Sequence, residues 1–112
     1  MPGVDVGAVF SALADPTRRE VVRSLASQPG LTASLLAGEL PMTRQAVAKH
    51  LGILEEANLV AVQWAGREKR HFINPVPINQ ISERWIGKFE LPRMRVLSDL
   101  KASLEKKTAK EK

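Results

Sequence analysis

Polar and basic side chains follow one another along residues 43–57, and their types suit hydrogen bonding to nucleic acid. They are Thr43, Arg44, Gln45, Lys49 and His50. A glutamine amide can form two hydrogen bonds with adenine, and an arginine guanidinium can do the same with guanine. A lysine ammonium neutralises phosphate. These residues therefore form a candidate set of contacts to base edges and phosphates.

A second basic group follows Gly66 in the sequence. Arg67, Lys69 and Arg70 follow it closely, and Glu68 is the one acid among them. Positive side chains at such a position would neutralise phosphates and make binding salt-dependent. A protein-docking face would instead present aromatic and aliphatic anchors. The charge of the two groups together favours a nucleic acid over a protein partner.

Catalytic and metal-binding groups are the main alternatives, and the sequence offers little for either. Three candidate nucleophiles, Ser11, Ser24 and Ser34, have no histidine near them in sequence, and no glycine-rich phosphate loop is present. The chain has no cysteine, which excludes disulfides and thiolate ligands and fits a reducing cytoplasm. The two histidines, His50 and His71, fall on different predicted elements. We expect no enzyme activity, no metal site and no cofactor.

The first candidate group needs a helix to position it, and the hydrophobic spacing predicts one over residues 43–57. Val47, Leu51 and Leu54 share one side of it. On the other side, Gly52 and small alanines lie beside the polar residues, which would allow close approach to a DNA major groove. We expect Thr43 to cap the start of this helix, and Asn58 to take the left-handed conformation that follows its end. His50 lies beside the apolar stripe, so a buried role and a DNA contact both remain open.

Three shorter helices are predicted before this one. The first covers residues 5–14, with Val6, Val9, Phe10 and Leu13 at helical spacing. The second begins at Asp15-Pro16 and stops at Gln28-Pro29-Gly30, since Asp is a good N-cap and Pro suits the first helical position. The third covers about residues 33–40, with Thr32 as its cap and three leucines facing inward: Leu35, Leu36 and Leu40.

A hairpin and two helices are predicted after it. Beyond Leu59 the apolar residues alternate with a period of two, at Val60, Val62 and Trp64. The alternation breaks and then resumes over residues 69–73. This pattern predicts a β-hairpin across residues 59–74. On the second strand of this hairpin, His71 is expected at the surface. A helix follows with Ile78, Ile81, Trp85 and Phe89, then a last one with Met94, Leu97, Leu100 and Leu104. We expect the tail, about residues 106–112, to be disordered.

The order of these elements defines the fold class. It is mainly α with a small β-hairpin, a winged helix-turn-helix in the order α1-α2-α3-α4-β1-β2-α5-α6, and the 112 residues suit a single domain over 1–112. The formal charge of +5 favours a polyanionic partner. No apolar run approaches the roughly 18 residues that span a membrane.

Residues 10–74 resemble the ArsR (arsenic-repressor) family of winged-helix regulators. The resemblance rests on FSALADPTRREVVRSL, on MTRQAVAKHLGILEEANLV and on WAGREKRHFINP. It implies a cytoplasmic, nucleoid-associated, homodimeric repressor from a prokaryote that binds a short palindrome in double-stranded DNA. It implies DNA contacts at Thr43, Arg44, Gln45, Lys49, His50, Arg67, Lys69 and Arg70. It also implies a dimer interface on the terminal helices, where the apolar candidates are Val6, Val9, Phe10, Leu13, Trp85, Phe89, Met94, Leu97, Leu100 and Leu104.

The sequence departs from this family where many members sense metal. A cysteine pair at the start of the third helix is replaced here by Thr32 and Ser34, and residues 79–90 carry Glu83 and Glu90 but no histidine. The chain therefore looks like a member of the metal-independent branch of the family. Whether it responds to an unknown small-molecule effector remains open. Trp85 and Phe89 either line an effector pocket or pack in the core or dimer seam. A protein-interaction module and a non-specific DNA-packaging protein are the alternative functions.

Overall fold

The computed structural model describes residues 5–85 and 99–105 of the chain. Its order is α1 (Val6–Leu13), α2 (Pro16–Ser27), α3 (Ala33–Glu39), α4 (Arg44–Glu56), β1 (Val60–Ala65), β2 (Glu68–Ile73) and α5 (Val76–Trp85). Residues 99–105 are also helical and belong to the predicted α6. The chain is thus mainly helical with one antiparallel hairpin, and the predicted winged helix-turn-helix class is confirmed.

Side-chain caps start the first four helices. Asp15, Thr32 and Thr43 accept hydrogen bonds from backbone N–H groups in the first turns of α2, α3 and α4, as predicted. Asp5 does the same for α1. At the other end of α4, Asn58 has a φ of 60°, the left-handed conformation expected there. These short side chains therefore set where each helix begins and how α4 turns into the hairpin.

The core lies between α1, α2, α4 and α5. The apolar stripes of α2 and α4 are buried as predicted, namely Val21, Val22, Leu25, Val47, Leu51 and Leu54. Ile78 and Ile81 are also buried and belong to the same core, and their helix α5 packs against α1. The prediction for Leu35 was wrong, because its side chain is 54% exposed. Successive helical residues point about 100° apart, so two adjacent leucines of this seven-residue helix do not share one face. Leu36 is the one that packs into the core.

The wing, residues 60–73, is a two-stranded antiparallel hairpin closed by a two-residue turn. Ala65 pairs with Glu68, so Gly66 and Arg67 form the turn, and Gly66 has a φ of 64° that favours glycine. Trp64 stands opposite Lys69, and Gln63 stands opposite Arg70. Because successive strand residues point to opposite faces, Lys69 and Arg70 lie on different sides of the wing.

A backbone bridge ties the wing to the start of α3. Leu31 pairs with His71, and the His71 N–H donates to the Leu31 carbonyl oxygen at 3.1 Å. The His71 side chain is 2% exposed, and its Nδ1 lies 2.9 Å from the same oxygen. The prediction that His71 lies on the surface was wrong, because this bridge covers the second strand.

Some of the residues suggested for a dimer interface are used within the single chain. Val9, Leu13 and Leu100 are between 0% and 2% exposed and belong to the core, so they offer no surface to a second subunit. Val6, Phe10 and Leu104 are partly buried against that core. The side chain of Trp85 lies outside the described part of the structure, as do Phe89, Met94, Leu97 and the tail 106–112.

Candidate nucleic-acid interface

The outward side of α4 carries polar side chains, and the residues beside them are small. Arg44, Gln45 and Lys49 are exposed in its first half. Ala48 lies between them, and a Cβ added at Gly52 would meet no atom within 4 Å. The acids Glu55 and Glu56 come only in the last turn. The first half of α4 can therefore approach a polyanion closely, with its negative charges held at the far end.

Three basic side chains at this surface have no partner in the described part of the chain. The side chains of Arg44, Lys49 and Arg67 form no hydrogen bond or ion pair among residues 5–85 and 99–105. All three are exposed. Since nothing must be broken first, each can neutralise a phosphate while every internal interaction stays in place.

The remaining wing cations are already paired. Lys69 Nζ lies 3.3 Å from Glu55 Oε1 on α4, and Arg70 Nη2 lies 3.3 Å from Glu68 Oε1. Lys69 and Arg70 are neighbours in the strand, so their side chains leave it on opposite faces of the wing. The structure therefore separates the three predicted wing cations. Within the described residues, Lys69 and Arg70 have acidic partners and Arg67 has none.

One ring nitrogen of His50 is turned into the protein. Its Nδ1 is fully buried and has no hydrogen-bond partner in the described part of the structure. The Thr17 N–H that donates to the Asp15 carboxylate at 2.7 Å lowers the pKa of Asp15, and the nearby charges of Arg18 and His50 lower it further. One ring edge of His50 is thus turned into the protein, which favours the packing interpretation over a DNA contact.

A cleft of about 610 Å³ separates α4 from the wing. We call it the helix–wing cleft. Its walls are the first turn of α3, one side of α4 and the inner face of the wing, and it includes Arg44, Arg67 and Lys69. Two apolar side chains also line it, Leu35 at 54% and Trp64 at 64% exposure.

Sequence reasoning missed this cleft. Alternation had placed Trp64 on the apolar face of the hairpin, and the register agrees with that face. The strand, however, extends to Ala65, and Trp64 does not belong to the core formed by the described residues, so its side chain is largely exposed. The position of Trp64 close to the predicted turn could have indicated its exposure, because the core covers a hairpin least near its turn.

No other kind of site stands out in the described residues. Within 5–85 and 99–105, His, Cys, Asp and Glu side chains form no group of three or more that could hold a metal ion. Among the helices in this part of the chain, none has the length and apolar character to cross a membrane.

Comparison with known proteins agrees with this geometry. A helix-turn-helix domain model matches residues 13–63. An uncharacterised HTH-type transcriptional regulator of Bacillus subtilis, YuzN, is 36% identical over 85 residues, which cover 70% of this chain and 92% of YuzN. The HTH-type transcriptional regulator Rv2034 of Mycobacterium tuberculosis is 42% identical over 66 residues, covering 59% of this chain and 61% of Rv2034.

Solved structures extend the likeness to the three-dimensional fold. An ArsR-like transcriptional regulator from Rhodococcus sp. RHA1 superposes with a TM-score of 0.60 at 32% identity, covering 92% of this chain and 85% of that one. The cadmium metal-sensor CMTR of Mycobacterium tuberculosis gives a TM-score of 0.57 at 26% identity, covering 79% and 95% of the two chains. The exposed polar side of α4, the basic wing and these relatives together show that the chain belongs to the ArsR family of winged-helix, DNA-binding transcriptional regulators.

Proposed function

We propose that this protein is a sequence-specific, homodimeric repressor that binds a palindromic operator in its own or a neighbouring promoter. Helix α4 enters the major groove, and the wing contacts the adjacent backbone or minor groove. One observation supports this most directly. Within the described residues, Arg44 and Lys49 have no partner and flank exposed Gln45, on a helix side that carries no bulk at Ala48 or Gly52.

Two other functions would use the same fold differently. A protein-docking module would need apolar anchors on the outward side of α4, where this chain has Gln45 and Lys49. A DNA-packaging protein would need the same cations but no base-reading side chain. The exposed amide of Gln45 favours the repressor over both, because its two hydrogen-bonding groups suit an adenine edge.

We place this repressor in the metal-independent branch of the family, acting on the nucleoid in the cytoplasm. Thr32 and Ser34 occupy the positions at which the family resemblance would place a cysteine pair, and neither side chain is a soft metal ligand. Release from DNA would then depend on a signal other than a metal ion, such as a small-molecule effector, or the protein would simply regulate its own operon.

The test is fluorescence anisotropy of the purified protein with two duplexes near physiological salt. One carries the region upstream of the protein's own gene, and the other carries the same bases in scrambled order. We expect a preference of roughly a thousandfold or more for the natural sequence. Equal binding to both would point to a packaging protein or to an operator in a neighbouring promoter, and the same assay with that promoter's duplex and its scramble distinguishes the two. No binding to any duplex would favour a docking module.

Gln45→Ala tests base reading in the same assay. Without its bidentate hydrogen bonds to adenine, the preference for operator over scrambled duplex should fall by at least about tenfold. Binding to the scrambled duplex should change little, because the charge of the protein stays the same. Gln80→Ala is the matched control, since Gln80 is also exposed but lies on α5. If the preference is the same in both variants, Gln45 does not read bases.

A further inference from the structure

The helix–wing cleft combines features that the fold itself does not use. Trp64 is 64% exposed and Leu35 is 54% exposed, and neither packs against the core. Exposed apolar side chains that cluster in a concavity mark a binding surface more often than isolated ones do. Because the two come from different elements, α3 and β1, they meet only in the folded chain.

The charge of the cleft is positive. Its two acids are each engaged by a cation, Glu55 by Lys69 and Glu68 by Arg70, both at 3.3 Å. Arg44 at the start of α4 and Arg67 at the wing turn remain unpaired in the described part of the chain. The Thr32 hydroxyl accepts a hydrogen bond from the Leu35 N–H at 3.2 Å, so its own proton is available to a ligand oxygen. The cleft thus suits a ligand that alternates anionic and apolar groups.

We propose that the helix–wing cleft holds the sugar–phosphate backbone of one DNA strand, with Trp64 packed against deoxyribose and with Arg44 and Arg67 on flanking phosphates. This rests on the proposed function. If α4 lies in the major groove and the wing in the adjacent minor groove, the strand that separates the two grooves must pass between α4 and the wing. A second copy of this chain fits less well, because a two-fold interface through this surface would bring Arg44 and Arg67 of one positive cleft against the same residues of the other.

The proposed contact of Trp64 has a distinctive signature. An indole ring on a sugar carries no charge and reads no base, so it strengthens binding to any duplex. Trp64→Ala should weaken binding to operator and to scrambled duplex by a similar factor of at least about tenfold. The salt dependence should stay the same, because no counterions are displaced by Trp64. Arg67→Ala, by contrast, should reduce the slope of log K against log salt by about one for each phosphate that Arg67 neutralises in the wild type.

Val76→Ala is the matched control. Val76 is 50% exposed, an apolar side chain at the start of α5 and outside the cleft, so its truncation should leave both affinities unchanged. Trp64→Phe should recover most of the affinity, since a phenyl ring can also pack against a sugar. Circular dichroism of each variant shows whether it is folded before binding is compared. If Trp64→Ala and Val76→Ala bind equally well, the proposal is wrong.

Acrylamide quenching gives a second, independent readout. Trp64 and Trp85 are the two tryptophans of the chain, so Trp64→Phe reports Trp85 alone and the difference from the wild type reports Trp64. We expect Trp64 to be readily quenched in the free protein and protected in the operator complex. A wild type that prefers its operator while Trp64 stays open to quencher would overturn this proposal and leave the proposed function standing. A wild type without any operator preference would instead contradict the proposed function itself.

Discussion

At the scale of single residues, the partners of a side chain decide its role more than its type does. The sequence marks five basic residues near the recognition surface as equivalent candidates: Arg44, Lys49, Arg67, Lys69 and Arg70. The structure separates them, because Glu55 pairs with Lys69 from 14 positions away and Glu68 pairs with Arg70 two positions along the same strand. Charge and position along the chain were predictable. The ion pair between α4 and the wing was not, since it depends on how the two elements pack.

His71 shows the same limit. Its strand position was predicted, but it was expected at the surface and is 2% exposed. The residue that buries it is Leu31, 40 positions earlier, through a single backbone bridge. No local pattern around Leu31 indicates a strand, because only one residue takes part. Contacts of this length, rather than local propensities, explain why the burial of His71 could not be predicted.

Gly52→Ala separates the stability of helix α4 from the affinity of the protein for DNA. A helical glycine costs about 1 kcal/mol relative to alanine, and a Cβ at Gly52 would meet no atom of the described residues within 4 Å. The variant should therefore raise the free energy of unfolding by about 0.5–1 kcal/mol. It should also weaken operator binding, because the added methyl group points into the space that DNA would occupy. Thermal unfolding and anisotropy measure the two effects.

Gly38→Ala is the control for this experiment. Gly38 also lies in a helix, α3, with nothing within 4 Å of an added Cβ. Its replacement should stabilise the fold without any change in DNA affinity. If Gly52→Ala binds the operator as tightly as Gly38→Ala does, DNA does not approach α4 closely at that turn.

At the scale of elements, helix starts were more predictable than helix faces. Asp15, Thr32 and Thr43 were expected as caps because their side chains can accept a backbone N–H within the same turn. The face of α3 could not be predicted in the same way. Its two adjacent leucines fit the core equally well in sequence, and only the packing of α3 on α4 decides that Leu36 is buried.

The junction of α1 and α2 depends on arginines whose structural role the sequence did not reveal. Arg18 Nε donates to the Ala12 carbonyl oxygen at 2.6 Å, and Arg19 Nη1 donates to that of Leu13 at 2.7 Å. These carbonyls are among the last of α1, which a helix leaves without internal partners. The two guanidinium groups therefore hold α1 against α2 and are not free for phosphate.

Asp15→Asn tests the charge at this junction. The Thr17 N–H lowers the pKa of Asp15 below its ordinary value of 3.8, as do the charges of Arg18 and His50. A lowered pKa means that the carboxylate stabilises the fold above about pH 4 and that this contribution is lost as the pH falls through the lower, folded value. Asparagine keeps the cap without the charge, so the free energy of unfolding of the variant should fall less steeply than that of the wild type as the pH is lowered below about 4.

Asp15→Ala completes this comparison. It removes both the cap and the charge, so it should cost about 1 kcal/mol of stability at pH 7, where Asn costs less. Urea titrations across the pH range measure both variants against the wild type. Equal slopes for wild type and Asp15→Asn below pH 4 would show that the charge of Asp15 does not stabilise the junction.

At the scale of the whole molecule, the recognition surface and the partly buried apolar side chains near the termini lie on different elements. The cations without a partner among residues 5–85 and 99–105 lie on α4 and the wing turn, whereas the partly buried apolar side chains of Val6, Phe10 and Leu104 come from α1 and the helical residues 99–105. Composition alone predicted a basic, one-domain protein. It could not show that Val9, Leu13 and Leu100 are used within the chain, because the same apolar spacing serves a core and an interface equally well.

Phe10→Glu tests whether α1 joins two copies. A palindromic operator needs two recognition helices about 34 Å apart, one helical turn of DNA, and each chain supplies one. We expect the wild type to have about twice its chain mass of 12.3 kDa by light scattering, and the variant to have the mass of one chain. A buried carboxylate without a partner would oppose association. The variant should also lose operator affinity although α4 is unchanged.

Leu35→Glu is the matched control for the mass measurement, since it places the same charge on an exposed apolar position of α3. It should remain a dimer, because the cleft at α3 faces DNA in our proposal and not a second copy. Circular dichroism of both variants distinguishes dissociation from unfolding. If Phe10→Glu is folded and still dimeric, α1 does not form the interface. If Leu35→Glu dissociates instead, the helix–wing cleft is the surface that joins two copies, and both the dimer and the backbone site proposed here would have to be reassigned.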